Sequence, residues 1–202
     1  MKKFLWALAS FFFLNSTQAL VLQEGKQYIE LEQPRSVQPE VIEFFSFGCI
    51  HCFNFEKTYQ IPQQIKADLP KDVTFKQYHV DWMGEDIVRA WSLAILLGIE
   101  EKVKMPLFEL IIEKRKAPTL DNIREVFLAN GITAAQFDGG INSFAVTAQT
   151  NKQIALAKKL GVRATPEFYI NGKYKVNSEG LSRTTDGFIK DYVETVKGLL
   201  QK

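Results

Sequence analysis

The sequence of 202 residues has little cysteine and little histidine, with two residues of each. So few soft ligands argue against a structural zinc site, which draws its ligands mainly from these two residue types. The chain also lacks a large excess of one charge, because 25 basic residues face 23 acidic ones. Lys2 and Lys3 supply the whole surplus. Without them the chain is neutral, which gives no basic field for nucleic acid or an anionic membrane.

The sequence also lacks a long hydrophobic run. A transmembrane helix needs about 20 apolar residues, and the apolar segment at 4–14 is much shorter. Lys2 and Lys3 precede this segment, and the small residues Thr17 and Ala19 follow it. This order predicts a secretory signal peptide at 1–19 with cleavage after Ala19, in preference to a membrane anchor. Export would place the chain where disulfides form and persist.

The hydrophobic pattern beyond this segment predicts a mixed sheet interrupted by helices. Strands are predicted at 28–31, 41–47, 73–80, 167–170 and 173–176, and helices at 49–66, 87–97, 106–114, 121–129, 144–160 and 185–200. Pro62 should kink or divide the first helix. Asp121 is a candidate helix cap, and Trp82, Trp91 and Phe108 are candidate core residues.

The only two cysteines stand together as Cys49-Ile50-His51-Cys52, where an apolar strand meets a predicted helix. At the helix N-terminus, free N–H groups and the helix dipole favour an anion, so we expect a stabilised thiolate at Cys49. A protonated His51 would favour it further. Cys52, one turn further in, should be the buried partner. A stabilised thiolate stabilises the reduced pair, which predicts that the disulfide is donated to other proteins.

The cysteine pair has three other interpretations: a structural disulfide, half of a zinc site, and a chance placement of two cysteines. A bridge across two residues closes a very small loop and stabilises little. A zinc site would need further ligands, and only His79 remains outside the motif. Two cysteines placed together after a strand in an exported chain therefore favour redox catalysis.

Two further segments carry candidate site residues. Thr165-Pro166 precedes a predicted strand, where an ordinary trans proline is the simpler alternative to a cis peptide. Glu43 is the one acidic residue in the apolar strand at 41–47. If buried, its carboxyl should have a raised pKa and could accept the proton of Cys52; the alternative is a solvated strand face. His79 is expected to be structural.

Three segments carry a family resemblance: Glu43-Phe44-Phe45-Ser46-Phe47-Gly48 leading into the cysteine pair, Tyr78-His79-Val80-Asp81-Trp82-Met83-Gly84, and Val162-Arg163-Ala164-Thr165-Pro166 followed by Asn171-Gly172-Lys173-Tyr174. Together they resemble the DsbA family of thiol:disulfide interchange proteins of the bacterial periplasm. The resemblance runs from about Gly25 to the C-terminus.

The resemblance implies an α/β thioredoxin fold, in which a mixed central sheet is flanked by helices. The thioredoxin-like parts would lie at 20–83 and 162–202, with an inserted helical subdomain at 84–161. It further implies that Cys49 is the nucleophile, Cys52 the resolving cysteine, Pro166 a cis-proline and Glu43 the acid beneath the active site. A quinone-linked membrane partner of the DsbB type would reoxidise the pair.

Three positions depart from the family pattern. Ile50 replaces the usual proline, and its N–H is expected to be an additional donor to the Cys49 thiolate. Thr165 replaces the common valine and resembles the arrangement in disulfide isomerases and thioredoxin-like reductases, which bears on the choice of substrate and partner. Gln77 takes the place of a lysine that faces the buried acid, with Lys76 on the opposite strand face. Glu43 should therefore lack a cationic partner and have a higher pKa.

We therefore predict a monomeric periplasmic oxidase that donates its disulfide to reduced exported proteins, without metal, cofactor or nucleic acid. The predicted catalytic residues are Cys49, Cys52, His51 and Glu43, and the predicted substrate-binding residues are Ile50, Thr165 and Pro166. One alternative is a reductase or isomerase. The other is a non-enzymatic peptide-binding chaperone module with a structural disulfide.

Overall fold

The computed structural model describes residues 21–202, so the predicted signal peptide at 1–19 lies outside the described residues. Five strands form one mixed sheet: β1 (Tyr28–Glu30), β2 (Glu40–Phe45), β3 (Thr74–His79), β4 (Glu167–Ile170) and β5 (Tyr174–Val176). Their spatial order is β1-β5-β4-β2-β3. β2 and β3 run parallel, and the other neighbours are antiparallel. β2 therefore has a neighbouring strand on each side and is an interior strand, as its apolar sequence predicts.

Eight helices flank the sheet within the described residues: α1 (Ile50–Lys57), α2 (Ile61–Ala67), α3 (Glu85–Leu97), α4 (Glu100–Phe108), α5 (Leu120–Ala129), α6 (Ala134–Gly140), α7 (Phe144–Leu160) and α8 (Thr185–Leu200). Helices α1 and α2 connect β2 to β3, and α3 to α7 lie between β3 and β4. In this part of the chain no helix is long and apolar enough to cross a membrane.

The two faces of β2 are buried by different helices. Ile42 and Phe44 pack with α7 residues on one face. Val41 packs on the other face with residues of α1, α2 and α8. Because side chains alternate along a strand, Glu43 and Phe45 share the face of Val41. Glu43 is thus aimed at the buried face between the sheet and the helices that follow the cysteine motif.

The helix predicted at 49–66 is two helices, so Pro62 divides it. α1 ends at Lys57, and α2 begins at Ile61 with Pro62 in its first turn. A proline is well tolerated there because the first N–H groups of a helix have no intrahelical partner. Gln60, the residue before α2, adopts a left-handed conformation with φ 52°, which turns the chain between the two helices.

The helical region at 84–161 differs from its prediction in three places. The helix predicted to start at Pro106 begins six residues earlier, at Glu100, and contains Pro106; a wider turn, Glu109–Glu113, follows it directly. Thr119, not Asp121, caps α5, because its hydroxyl accepts the N–H of Asn122. Helix α6 was not predicted; it is short and depends on a capping box rather than on hydrophobic periodicity.

The helices between β3 and β4 share a core with the cysteine motif. An aromatic cluster joins Phe45 and Phe47, which precede the motif, to Trp91 of α3 and Phe108 of α4. The Trp91 indole N–H donates to the carbonyl oxygen of Gln77 on β3 over 2.8 Å. Both Trp91 and Phe108 are buried, as predicted. The treatment of residues 84–161 as a subdomain stays a prediction.

Gln153 of α7 connects these helices to the sheet and generates a stability prediction. It accepts the backbone N–H of His79 over 2.9 Å and donates to the Ser92 hydroxyl over 2.6 Å, all in the interior. Gln153→Met retains the shape but leaves the N–H unpaired, so the free energy of unfolding should fall by about 2–3 kcal/mol. Urea unfolding at an unchanged m-value measures this change.

The matched control is Lys152→Met, which makes a similar change on the exposed side of the same helix. Its unfolding free energy should stay within about 0.5 kcal/mol of the parent. Equal stabilities of the two variants would contradict the importance of the Gln153 bonds.

Candidate active site

The two cysteines occupy the junction between β2 and the start of α1. Cys49 is the N-cap residue of α1, and its sulfur accepts the backbone N–H of Cys52 over 3.4 Å. Cys52 is fully buried in the same core cluster as Phe45 and Phe47, whereas Cys49 remains partly accessible. Both are free cysteines in this structure, which thus represents the reduced pair.

The environments of the two sulfurs shift their pKa values in opposite directions. The Cys49 pKa is lowered from 9.0 to about 5, chiefly by a hydrogen bond from the Cys52 thiol, with the Thr165 side chain and the backbone N–H groups of Cys52 and His51 contributing. Burial raises the pKa of Cys52 well above its ordinary value, and the neighbouring Cys49 and Glu43 charges raise it further. The reduced pair therefore keeps its negative charge on Cys49 and its proton on Cys52.

Ile50 does not supply the additional donor expected from the sequence. The backbone groups that lower the Cys49 pKa belong to His51 and Cys52, the second and third residues of α1. An N-cap side chain accepts from these positions, whereas the first helical N–H is directed away from it. The Ile50 side chain is 49% exposed beside the reactive sulfur, so its contribution to the site is an apolar surface.

Thr165 and Pro166 stand across from Cys49. The peptide bond between them is cis, and the Cys49 sulfur lies 3.2 Å from the Thr165 carbonyl oxygen. A cleft of about 430 Å³ begins at these residues and is also lined by His51 and Phe55. A second cleft of about 670 Å³ shares His51 and Phe55 and extends towards the start of α8. An open groove therefore leads away from the reactive sulfur.

The turn Asp81–Met83 contacts the cysteine motif from the other side. A side-chain carbon at Gly48 would lie 2.7 Å from the Met83 sulfur, so the Met83 side chain packs directly on Gly48 and would have to shift for any larger residue there. Trp82, predicted to be core, is 53% exposed. The prediction was wrong because this short turn presents its middle residue to solvent, and a second apolar side chain is thereby exposed near the motif.

His79 fixes the end of β2 just before the cysteines. Its Nε2 accepts the backbone N–H of Phe47 over 2.9 Å, and its Nδ1 faces the Val80 carbonyl oxygen at 2.5 Å. Since the Phe47 N–H can only donate and the carbonyl can only accept, the proton must be on Nδ1. Burial lowers the pKa of His79 to about 4, so the ring is neutral at physiological pH. Its structural role agrees with the prediction.

Glu43 is buried beneath the pair, at 1% exposure, so the solvated alternative was wrong. The Gln77 amide donates to Glu43 over 2.6 Å and to Glu56 over 2.5 Å. The other oxygen of Glu43, Oε1, has no hydrogen-bond partner. Burial, reinforced by the Glu56 charge, raises the pKa of Glu43 to about 8. As expected from Gln77, no cation pairs directly with Glu43 within the described residues.

Two buried charged residues of this cluster were missed from the sequence. Glu56 follows Cys49 by seven residues and Cys52 by four, which places all three on one side of α1. This spacing could have predicted from the sequence that Glu56 lies near the cysteines. The other, Lys104, pairs with Glu56 over 3.3 Å. Lys104 stands in the charged run at 100–104, before the predicted helix start at Pro106, so the pattern gave no reason to bury it. No group of metal ligands is found in residues 21–202.

The sequence is similar to those of known thiol:disulfide interchange proteins. A family model, the DSBA-like thioredoxin domain, matches residues 40–186. The Thiol:disulfide interchange protein DsbA of Haemophilus influenzae is 56% identical over 209 residues, covering 100% of both chains. The protein of that name from Escherichia coli is 38% identical over 207 residues, again covering 100% of both chains.

Solved structures give the same result for the fold. The DsbA of Proteus mirabilis, in complex with a non-covalently bound peptide PWATCDS, has a TM-score of 0.86 and 34% identity. The similarity covers 91% of this chain and 100% of that chain. A DsbA structure from Klebsiella pneumoniae has a TM-score of 0.84 and 33% identity, with 91% and 100% covered. The predicted thioredoxin fold is confirmed.

The low pKa of Cys49 predicts a thiolate that appears as pH rises through about 5. Ultraviolet thiolate absorbance of the reduced protein should show this step, and Cys49→Ser should abolish it, because the Cys52 pKa is raised. The folded pKa lies below the ordinary value of 9.0. The contribution of Cys49 to the stability of the reduced protein should therefore be fully present above about 9 and should be lost progressively as pH falls from about 9 through about 5. A Cys49 midpoint near 9.0 would contradict the assigned geometry.

The donor geometry also predicts the effect of Ile50→Pro on this titration. Proline suits the first position of a helix, and it removes an N–H that does not reach the sulfur. We expect the Cys49 midpoint to stay within about 0.3 pH units of the parent, as measured by thiolate absorbance. A larger rise of the Cys49 midpoint would show that the Ile50 N–H does donate to the Cys49 sulfur.

Proposed function

The chain belongs to the DSBA-like thioredoxin domain family and is a thiol:disulfide oxidoreductase that oxidises substrate cysteines, and from this premise we propose that it donates the Cys49–Cys52 disulfide to reduced proteins exported to the periplasm. The observation that carries the proposal is the separation of the two sulfurs into an accessible low-pKa thiol and a buried high-pKa thiol. The reductase, isomerase and chaperone alternatives are not favoured, because the full-length relatives are thiol:disulfide interchange proteins.

In the proposed reaction, a substrate thiolate attacks the Cys49 sulfur of the oxidised pair. The bond between the two cysteines breaks, the Cys52 sulfur leaves with the electron pair, and a mixed disulfide joins Cys49 to the substrate. A second substrate thiolate then attacks the substrate sulfur of this mixed disulfide. The substrate disulfide forms, and Cys49 leaves as a thiolate. Two electrons have passed from the substrate to the enzyme.

The stabilised leaving group supports the direction of transfer. A Cys49 thiolate with a pKa of about 5 is a good leaving group and stabilises the reduced enzyme. The corresponding disulfide is a strong oxidant, as is established for DsbA-type proteins as a class. The His51 backbone N–H contributes to this stabilisation, and its exposed side chain lines the groove in which the substrate would lie.

Glu43 is proposed to move the proton that Cys52 gains and loses. With a pKa of about 8, its carboxyl holds a proton at neutral pH that it can give to the departing Cys52 sulfur. In reoxidation, the Cys49 thiolate attacks a partner disulfide, and the Glu43 carboxylate takes the proton when Cys52 attacks in turn. The unpartnered Oε1 of Glu43 supports this role, since it is free to exchange a proton.

The substrate is proposed to bind as an extended segment across Ile50, Thr165 and Pro166. Thr165 precedes β4 and its carbonyl faces Cys49, so its backbone is positioned to pair with a chain that presents a cysteine there. The exposed Ile50 and Trp82 provide apolar contacts. A bound peptide in the Proteus mirabilis DsbA complex supports peptide binding in this family.

We further propose that the protein acts as a monomer in the periplasm and is reoxidised by a quinone-linked membrane partner of the DsbB type. The cysteine pair returns to its starting state only when a partner removes two electrons, so the cycle requires an oxidant of this kind. The proposed chemistry involves sulfur and one carboxyl group, and it calls on no metal or cofactor.

A Cys52→Ala variant tests the proposed exchange. Without the resolving sulfur, Cys49 should accumulate mixed disulfides with exported proteins, detected as bands that disappear on reduction and identified by mass spectrometry. Cys49→Ala is the control and should trap none. If Cys52→Ala also traps none, or if Cys49→Ala still supports disulfide formation in exported proteins, the proposed relay is wrong.

A further inference from the structure

Lys104 is an ammonium group buried beneath the active site, although it belongs to α4, outside the β2–α1 unit that carries the cysteines. The residue is 1% exposed. Its Nζ lies 3.3 Å from Glu56 Oε1, and 3.2 and 3.3 Å from the two carboxylate oxygens of Glu101 at the rim. Removing an ammonium from water is costly unless it is paired, so these contacts must compensate for its burial. The proposed exchange reaction so far assigns it no role.

The charges around Lys104 limit how many carboxyls can be ionised. Glu43 and Glu56 are both buried and are joined through the Gln77 amide. The Glu101 side chain is exposed at the rim and has a cation of its own there, because Lys66 Nζ lies 2.6 Å from Glu101 Oε1. The interior thus holds two carboxyls and one cation. It is neutral when one carboxyl is ionised and the other is protonated, and a second buried negative charge would be uncompensated.

The contacts decide which carboxyl is ionised. Lys104 touches Glu56 and makes no ion pair with Glu43. We propose that Lys104 is a positioning residue for thiol exchange: its pairing with Glu56 makes Glu56 the ionised carboxyl and leaves Glu43 with the proton that Cys52 exchanges. The use of that proton rests on the proposed function, whereas the arrangement of charges does not.

All charged and titratable groups that act on Glu43 bear on the direction of the effect. They are Glu56 and Cys52 of α1, Lys66 of α2, Lys104 of α4, and Tyr192 of α8, and Glu101 of α4 acts on Lys104. The charge of Lys104 lowers the pKa of Glu43, so the removal of this cation raises the pH at which the buried Glu43 carboxyl loses its proton. Loosening of the structure would do the opposite, because water reaching the carboxyls lowers that pH towards the ordinary carboxyl range.

The first experiment follows the buried carboxyls of the reduced full chain by NMR. In Lys104→Met, the midpoint for loss of the last carboxyl proton should rise by at least about 0.5 pH units. The control Lys197→Met also removes a lysine from an ion pair, with Asp68 on the surface, and should leave the midpoint unchanged. An unchanged or lowered midpoint in Lys104→Met, or an equal rise in both variants, would overturn the proposal.

A double variant separates charge pairing from a structural role. Glu56→Gln combined with Lys104→Met leaves Glu43 as the one carboxyl of the buried pair. Glu56 raises the pKa of Glu43 more strongly than Lys104 lowers it, so the midpoint should return to or below that of the parent. If Lys104 only fills space, the double variant will not reverse the effect of the single one.

The functional readout is the attack of Cys52 on a mixed disulfide between Cys49 and glutathione, measured across pH. This step needs the Glu43 carboxylate, so at pH 7 it should be about threefold slower in Lys104→Met and recover in the double variant. A pH profile in Lys104→Met that equals that of the parent would contradict the proposed role of Lys104 but not the proposed function. Failure of the parent protein to form the mixed disulfide would instead contradict the proposed function.

Discussion

The chemistry of this protein depends on the hydrogen bonds that the start of α1 offers to a single sulfur. Cys49 and Cys52 are identical side chains three residues apart, yet one occupies the N-cap and the other the interior of the first turn. The N-cap position receives backbone N–H groups and the Cys52 thiol, whereas the interior position loses contact with water. The helix therefore converts a symmetric pair into a stable thiolate and a protonated thiol.

That asymmetry creates a second requirement, because a buried thiol can react only if its proton has somewhere to go. A carboxyl at its ordinary pKa would hold no proton to donate at neutral pH, and a carboxyl far above it would accept none. Burial and the Glu56 charge bring Glu43 between these limits. His79, another buried titratable group nearby, is neutral and fixes the backbone before Cys49, so it does not compete for the proton.

The sequence alone was sufficient for the parts of the site that depend on local geometry. The order of one strand, two cysteines and one helix predicts three features: Cys49 at the start of the helix, Cys52 buried, and Glu43 on an interior strand. Lys104 and Trp82 could not be placed in this way. The burial of Lys104 and the exposure of Trp82 depend on how α4 and the turn after β3 pack onto the motif, and such contacts between distant segments have no periodic signal. Ile50 was misjudged for a different reason, since its N–H belongs to the helix position that an N-cap side chain does not reach.

The helices between β3 and β4 are therefore part of the active site rather than a covering beside it. Phe108 packs on Phe47 immediately before the cysteines, Gln153 holds the backbone of His79, and Lys104 compensates the charge of Glu56. Each contact fixes a different property of the site: the rigidity of the strand end, the orientation of the neutral histidine and the location of the buried proton. We therefore expect that the redox behaviour of this protein can be changed from the helices between β3 and β4 while the four residues from Cys49 to Cys52 remain the same.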